Sequence, residues 1–216
     1  PSALLNVPRL GWANVHGSLL PKYRGAGVLI APIINGDKET GISLIQLTKK
    51  LDAGPIIARR IIPLSPTETN GSLAAKIANV AALMLPDTLY QYAQGLLVPQ
   101  EQDDSQSTYV GLIKSQDARI NWRKSAKEIE RFIRAMQPQP GAWTMLSDNR
   151  LKIIASQVAD SAGFKPGQVE CVNNQLMVGT GQGNLIITKL QLAGRSVLSG
   201  VEFLRGHPTI VSAYLY

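Results

Sequence analysis

The apolar positions of the first half of this chain switch between the period of a strand and that of a helix. Residues 12–16, after a turn at Gly11, read as a short strand. Asn14 and His16 lie two apart and so face one side of it. Residues 18–25 follow as a loop, because Pro21 and Gly25 interrupt any regular pattern. The apolar run 28–35 predicts a helix that stops at Gly36, with Pro32 a poor fit inside it. Residues 40–47 alternate as a strand does, and 55–63 form a second β-rich run containing Ile56, Ile57, Ile61 and Ile62. Asp52 and Gly54 fall in the turn between them. Next, Leu73, Ile77, Val80 and Ala81 repeat at helical spacing, with Asn70 or Ser72 available as cap. Pro86 is expected to kink or divide this helix, which then resumes through Leu89 and ends near Gly95. Strand, helix, strand, strand, helix is the order of an α/β sheet domain.

The pattern changes after residue 97. Residues 99–107 are polar and acidic, with Glu101, Asp103 and Asp104, and carry no apolar period, so 98–112 reads as an interdomain linker between units 1–97 and 113–216. The second unit opens with Ser125 and Glu128 spaced as a capping box, followed by one apolar stripe of Ile129, Phe132, Ile133 and Met136. Pro138 and Pro140 stop that helix. From Gly141 onward short β segments (142–146, 150–158, 167–172, 175–178 and 184–192) alternate with turn residues at hairpin spacing, which suggests a small barrel. The glycines of 179–183 lie between β segments with no helix after them, and so read as a hairpin turn rather than a phosphate loop.

Composition adds three constraints. The chain has 216 residues, 44% of them apolar, enough for a real core. Its formal net charge of +7 suits a polyanionic partner, nucleic acid first among them. Lys124, Lys127, Arg131 and Arg134 recur at three- and four-residue spacing on a face distinct from the apolar stripe. That face can track phosphates without reading bases. Cys171 is the sole cysteine, which excludes an internal disulfide framework and a cysteine-based zinc site, and reads as a buried structural thiol. No apolar run approaches membrane-spanning length and no signal-peptide pattern opens the chain. Pro1 in place of an initiator methionine suggests an N-terminally truncated fragment.

Three side chains carry the candidate chemistry. A carbonyl under attack needs hydrogen-bond donors for its developing oxyanion. Asn14 donates through its amide. His16 donates from a ring nitrogen or shuttles a proton. Asp52 orients the imidazole and holds it protonated, or accepts a proton through water. No close Cys–His pair and no nucleophile elbow accompany them, which favours direct attack by a substrate nucleophile over a covalent intermediate. By themselves Lys22 and Arg24 read as solvated surface, and His207 as structural.

Asn14-Val15-His16-Gly17-Ser18-Leu19-Leu20-Pro21-Lys22-Tyr23-Arg24-Gly25, with Leu51-Asp52-Ala53-Gly54 downstream, resembles the signature of the folate-dependent formyltransferases. The resemblance covers essentially the whole chain. It implies transfer of a formyl group from 10-formyltetrahydrofolate to an amine, without a metal. It also implies that Asn14 and His16 polarise the formyl oxygen, that Asp52 supports His16, and that Ser18, Leu19, Leu20 and Pro21 line the tetrahydrofolate site. The implied fold is α/β: the C-terminal half of a Rossmann-like formyltransferase domain, then a small OB-like β-barrel. Thr108-Tyr109, Ala118 to Trp122, Pro138 to Thr144 and Phe203 to Gly206 resemble the members whose acceptor is methionyl initiator tRNA. A monomeric enzyme of the bacterial cytoplasm, or of an organelle, follows from that resemblance.

Two departures matter. The family's Arg-Gly-Ala-Ala-Pro is here Arg24-Gly25-Ala26-Gly27-Val28, from which a small change in loop rigidity is expected. The front of the family's catalytic domain has no counterpart, so poor activity is expected of this chain alone. The rival readings are a sugar-nucleotide amine formyltransferase with the same trio, and a non-catalytic RNA-binding module.

Overall fold

A computed structural model describes residues 2–159 and 163–216, Ser2 and Ala3 by backbone only. Pro1, on which the reading of an internal start rests, lies outside them. The chain divides into a first unit ending at Leu112 and a second spanning Ile113–Tyr216.

The first unit begins with a short helix, α1 (Ser2–Leu5), and the strand β1 (Ala13–His16). The loop that follows ends in a two-residue strand, β2 (Arg24–Gly25), and leads to α2 (Ile30–Asn35), which stops where Gly36 turns left-handed at φ 71°. β3 (Glu39–Gln46) and β4 (Ile56–Pro63) complete an antiparallel sheet in the order β1-β3-β4. β3 is central and carries Ile42, Leu44 and Ile45, all fully buried. Its register sets His16 opposite Ser43 and Asn14 opposite Ile45. The unit is therefore mixed α/β, with antiparallel pairing in this sheet.

α3 (Asn70–Ala93) is one helix with Pro86 inside it, so the proline does not divide it. Proline removes one backbone donor but its φ is helical, and the remaining ladder carries the helix past it. The cap is Thr69, one residue before Asn70 and three before Ser72, the expected positions. Its hydroxyl accepts from the Ser72 N–H at 3.1 Å, and the Ser72 hydroxyl accepts from the Thr69 N–H at 2.9 Å.

Residues 98–112 pack within the first unit. Gln100 exchanges backbone hydrogen bonds with Ile56 at 2.7 and 2.9 Å, and β5 (Tyr109–Val110) pairs in parallel with β2.

In the second unit α4 (Ala126–Ala135) is held by the capping box its sequence predicts. Glu128 accepts from the Ser125 N–H at 3.0 Å, and the Ser125 hydroxyl accepts from the Glu128 N–H at 3.4 Å. Ile129 and Ile133 are buried, and the helix packs on β7. β6 (Trp143–Leu146), β7 (Asn149–Ala159), β8 (Val169–Val172), β9 (Gln175–Gly179) and β10 (Asn184–Leu192) form an antiparallel sheet in the order β6-β7-β10-β9-β8. β11 (Val197–Ser199) pairs with β10 and leads into α5 (Gly200–Gly206). The sheet curls until its two edges meet the same segment. Met145 of β6 exchanges backbone bonds with Tyr216, and Val169 of β8 bonds to Ser212 and Ala213. Of the 179–183 run, Gly179 ends β9 and residues 180–183 are the turn into β10. Cys171 is exposed, not buried: β8 is an edge strand whose buried inward position is Val169. His207 follows α5 with its ring stacked on Phe203 at 4.2 Å and its Nδ1 donating to the Phe203 carbonyl at 3.1 Å.

Candidate active site

The site is built from three chain segments of the first unit: β1, the loop 17–25, and the turn 47–55. β1 delivers Asn14 and His16 to one side of the sheet. His16 is 5% exposed, and both ring nitrogens face protein groups. Nε2 lies 2.8 Å from the Tyr23 carbonyl. A carbonyl can only accept, so Nε2 carries a proton. Nδ1 faces Asp52 Oδ1 at 3.6 Å, an ion-pairing distance rather than a direct hydrogen bond. Asn14 is half-buried, and among the described residues its side-chain amide has no hydrogen-bond partner.

The structure thus divides the expected trio. Asn14 is the free donor. His16 is a buried imidazole held between a backbone acceptor and a carboxylate, with its Nε2 proton already engaged by Tyr23. This geometry suits His16 to proton transfer at Nδ1 better than to polarising a carbonyl.

Asp52 is held at three points. Its Oδ2 accepts from the Gly25 N–H at 2.8 Å, Oδ1 faces His16, and its backbone carbonyl accepts from the Gln102 amide at 2.9 Å. Its φ of 51° is left-handed, a conformation that aspartate tolerates better than most residues. Gly54, two residues on, has no room for a side chain, since a Cβ there would sit 1.7 Å from the Gln46 carbonyl oxygen. Gly25 is equally constrained: its φ is 104° and a Cβ would meet the Val110 carbonyl at 2.4 Å. The Leu-Asp-x-Gly and Arg-Gly motifs are therefore packing requirements of the loops that present Asp52. Gly27 has a partner too. A Cβ there would lie 2.5 Å from the Val110 side chain, so glycine makes room for that valine.

Arg24 corrects its surface reading. It is 0% exposed, and its guanidinium donates to Gln102 Oε1 (3.2 and 2.7 Å), to the Tyr109 hydroxyl (3.1 Å) and to Asp104 (2.8 Å). Burial disfavours its charge, but the Tyr109 hydroxyl and Asp104 outweigh this and hold it more firmly protonated than a free arginine. Tyr23, at φ 60°, is anchored at both ends. Its N–H donates to the Thr108 hydroxyl at 2.8 Å, and its own hydroxyl donates to Asp37 at 2.7 Å and accepts from Asn35 at 2.7 Å. Burial raises the Tyr23 phenol above its ordinary range, with the Asn35 bond opposing. Lys22 bonds to Asp37 at 2.9 Å, and that contact raises its pKa.

The Ser18–Pro21 stretch does two jobs. Ser18 is fully buried, its hydroxyl donating to the Lys22 carbonyl at 2.6 Å, and Leu20 packs with Ile45 and Ile56. Leu19, Leu20 and Pro21 border an open cleft of about 570 Å³ with Lys22, Arg59 and Ile61, and Ser18 is not among its lining residues. A second cleft of about 660 Å³ flanks the Asp52 turn and is lined by Trp12, Gln46, Thr48, Lys49, Ala53 and Tyr92, among others. Among the described residues no group of three or more His, Cys, Asp or Glu is placed to hold a metal, and no helix is long and apolar enough to cross a membrane.

On α4, Lys127 is exposed, as is Lys124 just before the cap. Arg131 and Arg134 are half-buried, and Arg134 is bound by Glu130 at 2.5 and 3.0 Å. The basic face is thus real at its N-terminal end and internally paired at Arg134. Sequence reasoning missed Tyr23, Gly25 and Gln102, which act through backbone groups or through a polar stretch without periodicity.

A family model described as formyl transferase matches residues 1–89, and one described as the formyl transferase C-terminal domain matches 112–208. A methionyl-tRNA formyltransferase of Pelobacter propionicus is 42% identical over 209 residues, covering 96% of this chain and 65% of that protein. One from Trichlorobacter lovleyi is 39% identical over 215 residues, covering 100% of this chain and 68% of that protein. The fold is shared with crystalline HypX from Aquifex aeolicus in complex with tetrahydrofolic acid, at a TM-score of 0.66 and 20% identity over 89% of this chain and 34% of that one. The chain therefore spans about 65% of the length of the first of these relatives. It belongs to the formyl transferase family.

Proposed function

We propose that this formyl transferase takes the formyl group of 10-formyltetrahydrofolate and places it on the amino group of methionyl initiator tRNA. The observation that carries the reading is the buried His16–Asp52 pair with the unpartnered Asn14 amide two residues away on the same side of β1. The acceptor amine attacks the formyl carbon, a C–N bond forms, and the oxyanion that develops is met by the Asn14 amide. The amine must lose a proton and N10 of the folate must gain one as its bond to the formyl carbon breaks. His16, through Nδ1 and backed by Asp52, relays that proton. The clefts beside Leu19–Pro21 and beside the Asp52 turn are the surfaces to which we assign the folate. Lys124, Lys127 and Arg131 form the surface to which we assign tRNA phosphates, with Arg134 contributing only if it leaves Glu130. On this reading the first unit is the later part of a Rossmann-like domain and the second an OB-like barrel, of a cytoplasmic enzyme acting as a monomer. The order of the two family models and the curl of the second sheet support the two-domain part of this reading.

Formyl transfer from 10-formyltetrahydrofolate to methionyl initiator tRNA, assayed with the complete reading frame that encloses these residues, tests the proposal. Asn14→Ala and His16→Ala should each lower kcat by about two orders of magnitude or more. An intact protein silent on the tRNA but active on an amino sugar nucleotide overturns the acceptor. Full activity in His16→Ala overturns the site.

A further inference from the structure

Residues 100–104 run alongside the Asp52 turn and grip it with alternate residues. Gln100 pairs with Ile56 through both backbone groups, the Gln102 side chain reaches Asp52 and Gly54, and Asp104 binds Lys50. The middle contact is the informative one. The two hydrogens of the Gln102 amide go to the carbonyls of Asp52 (2.9 Å) and Gly54 (2.7 Å), and its oxygen takes two bonds from Arg24. Carbonyls only accept and a guanidinium only donates, so this amide has one possible orientation and every valence filled. Arg24 is fully buried, and the next residue, Gly25, donates its N–H to the Asp52 carboxylate at 2.8 Å. The backbone of Asp52 and its carboxylate are thus both referenced to residues 24–25, the backbone through Gln102.

We propose that Gln102 is a positioning residue that sets Asp52 against His16. The proposal rests on Asp52 having the role assigned above. A general fastening of the chain would be served as well by the Gln100–Ile56 bridge or the Asp104–Lys50 pair. Gln102 differs because its bonds land on Asp52 itself and on the glycine that closes its turn.

The test uses the 216-residue chain with Gln102→Glu and Gln102→Met. Glutamate keeps an acceptor for Arg24 but loses the donors to the two carbonyls. Methionine loses both. The readout is the pair of His16 imidazole nitrogen signals in long-range ¹H–¹⁵N NMR. The chain has two histidines, so His207→Gln assigns them. Asp52→Asn supplies the reference shift. Both Gln102 variants should move the His16 signals in the direction that Asp52→Asn moves them. In the complete reading frame kcat should fall by roughly tenfold to a hundredfold with KM nearly unchanged, as displaced catalytic groups do. His16 signals at their parental positions in Gln102→Glu overturn the proposal. So does loss of the folded state in that variant, because it assigns Gln102 to holding the chain together. The NMR readout needs no formyl transfer, so a failure of the proposed function and a failure of this inference are told apart.

Discussion

Residues 98–112 and the outward side of α4 are both polar, charged stretches, and the sequence reads one as an interdomain linker and the other as a face open to phosphates. In the first, Gln100, Gln102 and Asp104 are spent on the turn that carries Asp52, and Tyr109 closes over a fully buried arginine. In the second, Lys124 and Lys127 stay exposed, and Arg134 turns to a glutamate four residues away on its own helix. What separates them is the demand of their surroundings. The Asp52 turn leaves backbone carbonyls with no ladder to join, and buried carbonyls must find donors. The helix satisfies its own backbone, so its polar side chains are left for solvent or for a ligand. Polarity in a sequence marks groups that need partners, without saying whether those partners are water.

Gly54→Ala should break the first half of this comparison most severely. The added Cβ would lie 1.7 Å from the Gln46 carbonyl, which is backbone and cannot swing aside. A loss of about 3 kcal/mol in the first unit is expected by urea unfolding, the upper range for overpacking. A change within error would mean that the turn can move away from β3, and that Asp52 is not held as described. Arg24→Met comes next. It removes the charged donor to Gln102, Tyr109 and Asp104 while filling most of the volume, and should lower stability by about 2 kcal/mol, as loss of hydrogen bonds to a charged group does. If 98–112 behaved as a free linker, this substitution would leave unfolding unchanged and make residues 98–112 no easier to cleave with a protease.

The contrast also explains what could be read in advance. The hydrophobic strands β1, β3 and β4, the capping box of α4 and the hairpins of the second unit follow from period, caps and turn residues, and they stand where the pattern puts them to within a few residues. The pairing of His16 with Asp52 was legible only through a motif, since 36 positions separate them and no local rule joins them. The acceptor for His16 was not legible at all. It is the carbonyl of Tyr23, a backbone group that any residue would provide, aimed by a left-handed φ of 60°. Arg24 was misread for a related reason. An arginine in a Pro- and Gly-rich loop is usually solvated, and this one is buried because its partners, Gln102, Asp104 and Tyr109, arrive more than seventy residues later. Cys171 failed in the opposite sense. Its type favours burial, but its place on an edge strand decides otherwise.

The smallest expected effect sharpens the second half of the comparison. Lys127 is exposed on α4 and no described ion pair holds it. Lys127→Ala should therefore leave the stability of the second unit within about 0.5 kcal/mol, as surface substitutions do. If the face meets tRNA phosphates, the same variant should weaken binding modestly and lower the slope of log K against log salt by about one. The effect should be alike for initiator and elongator tRNA, because phosphate contacts carry no sequence information. A variant that destabilises the unit would place Lys127 with the internally bonded residues such as Arg24. One that leaves both binding and its salt slope unchanged would make this face solvent-facing only.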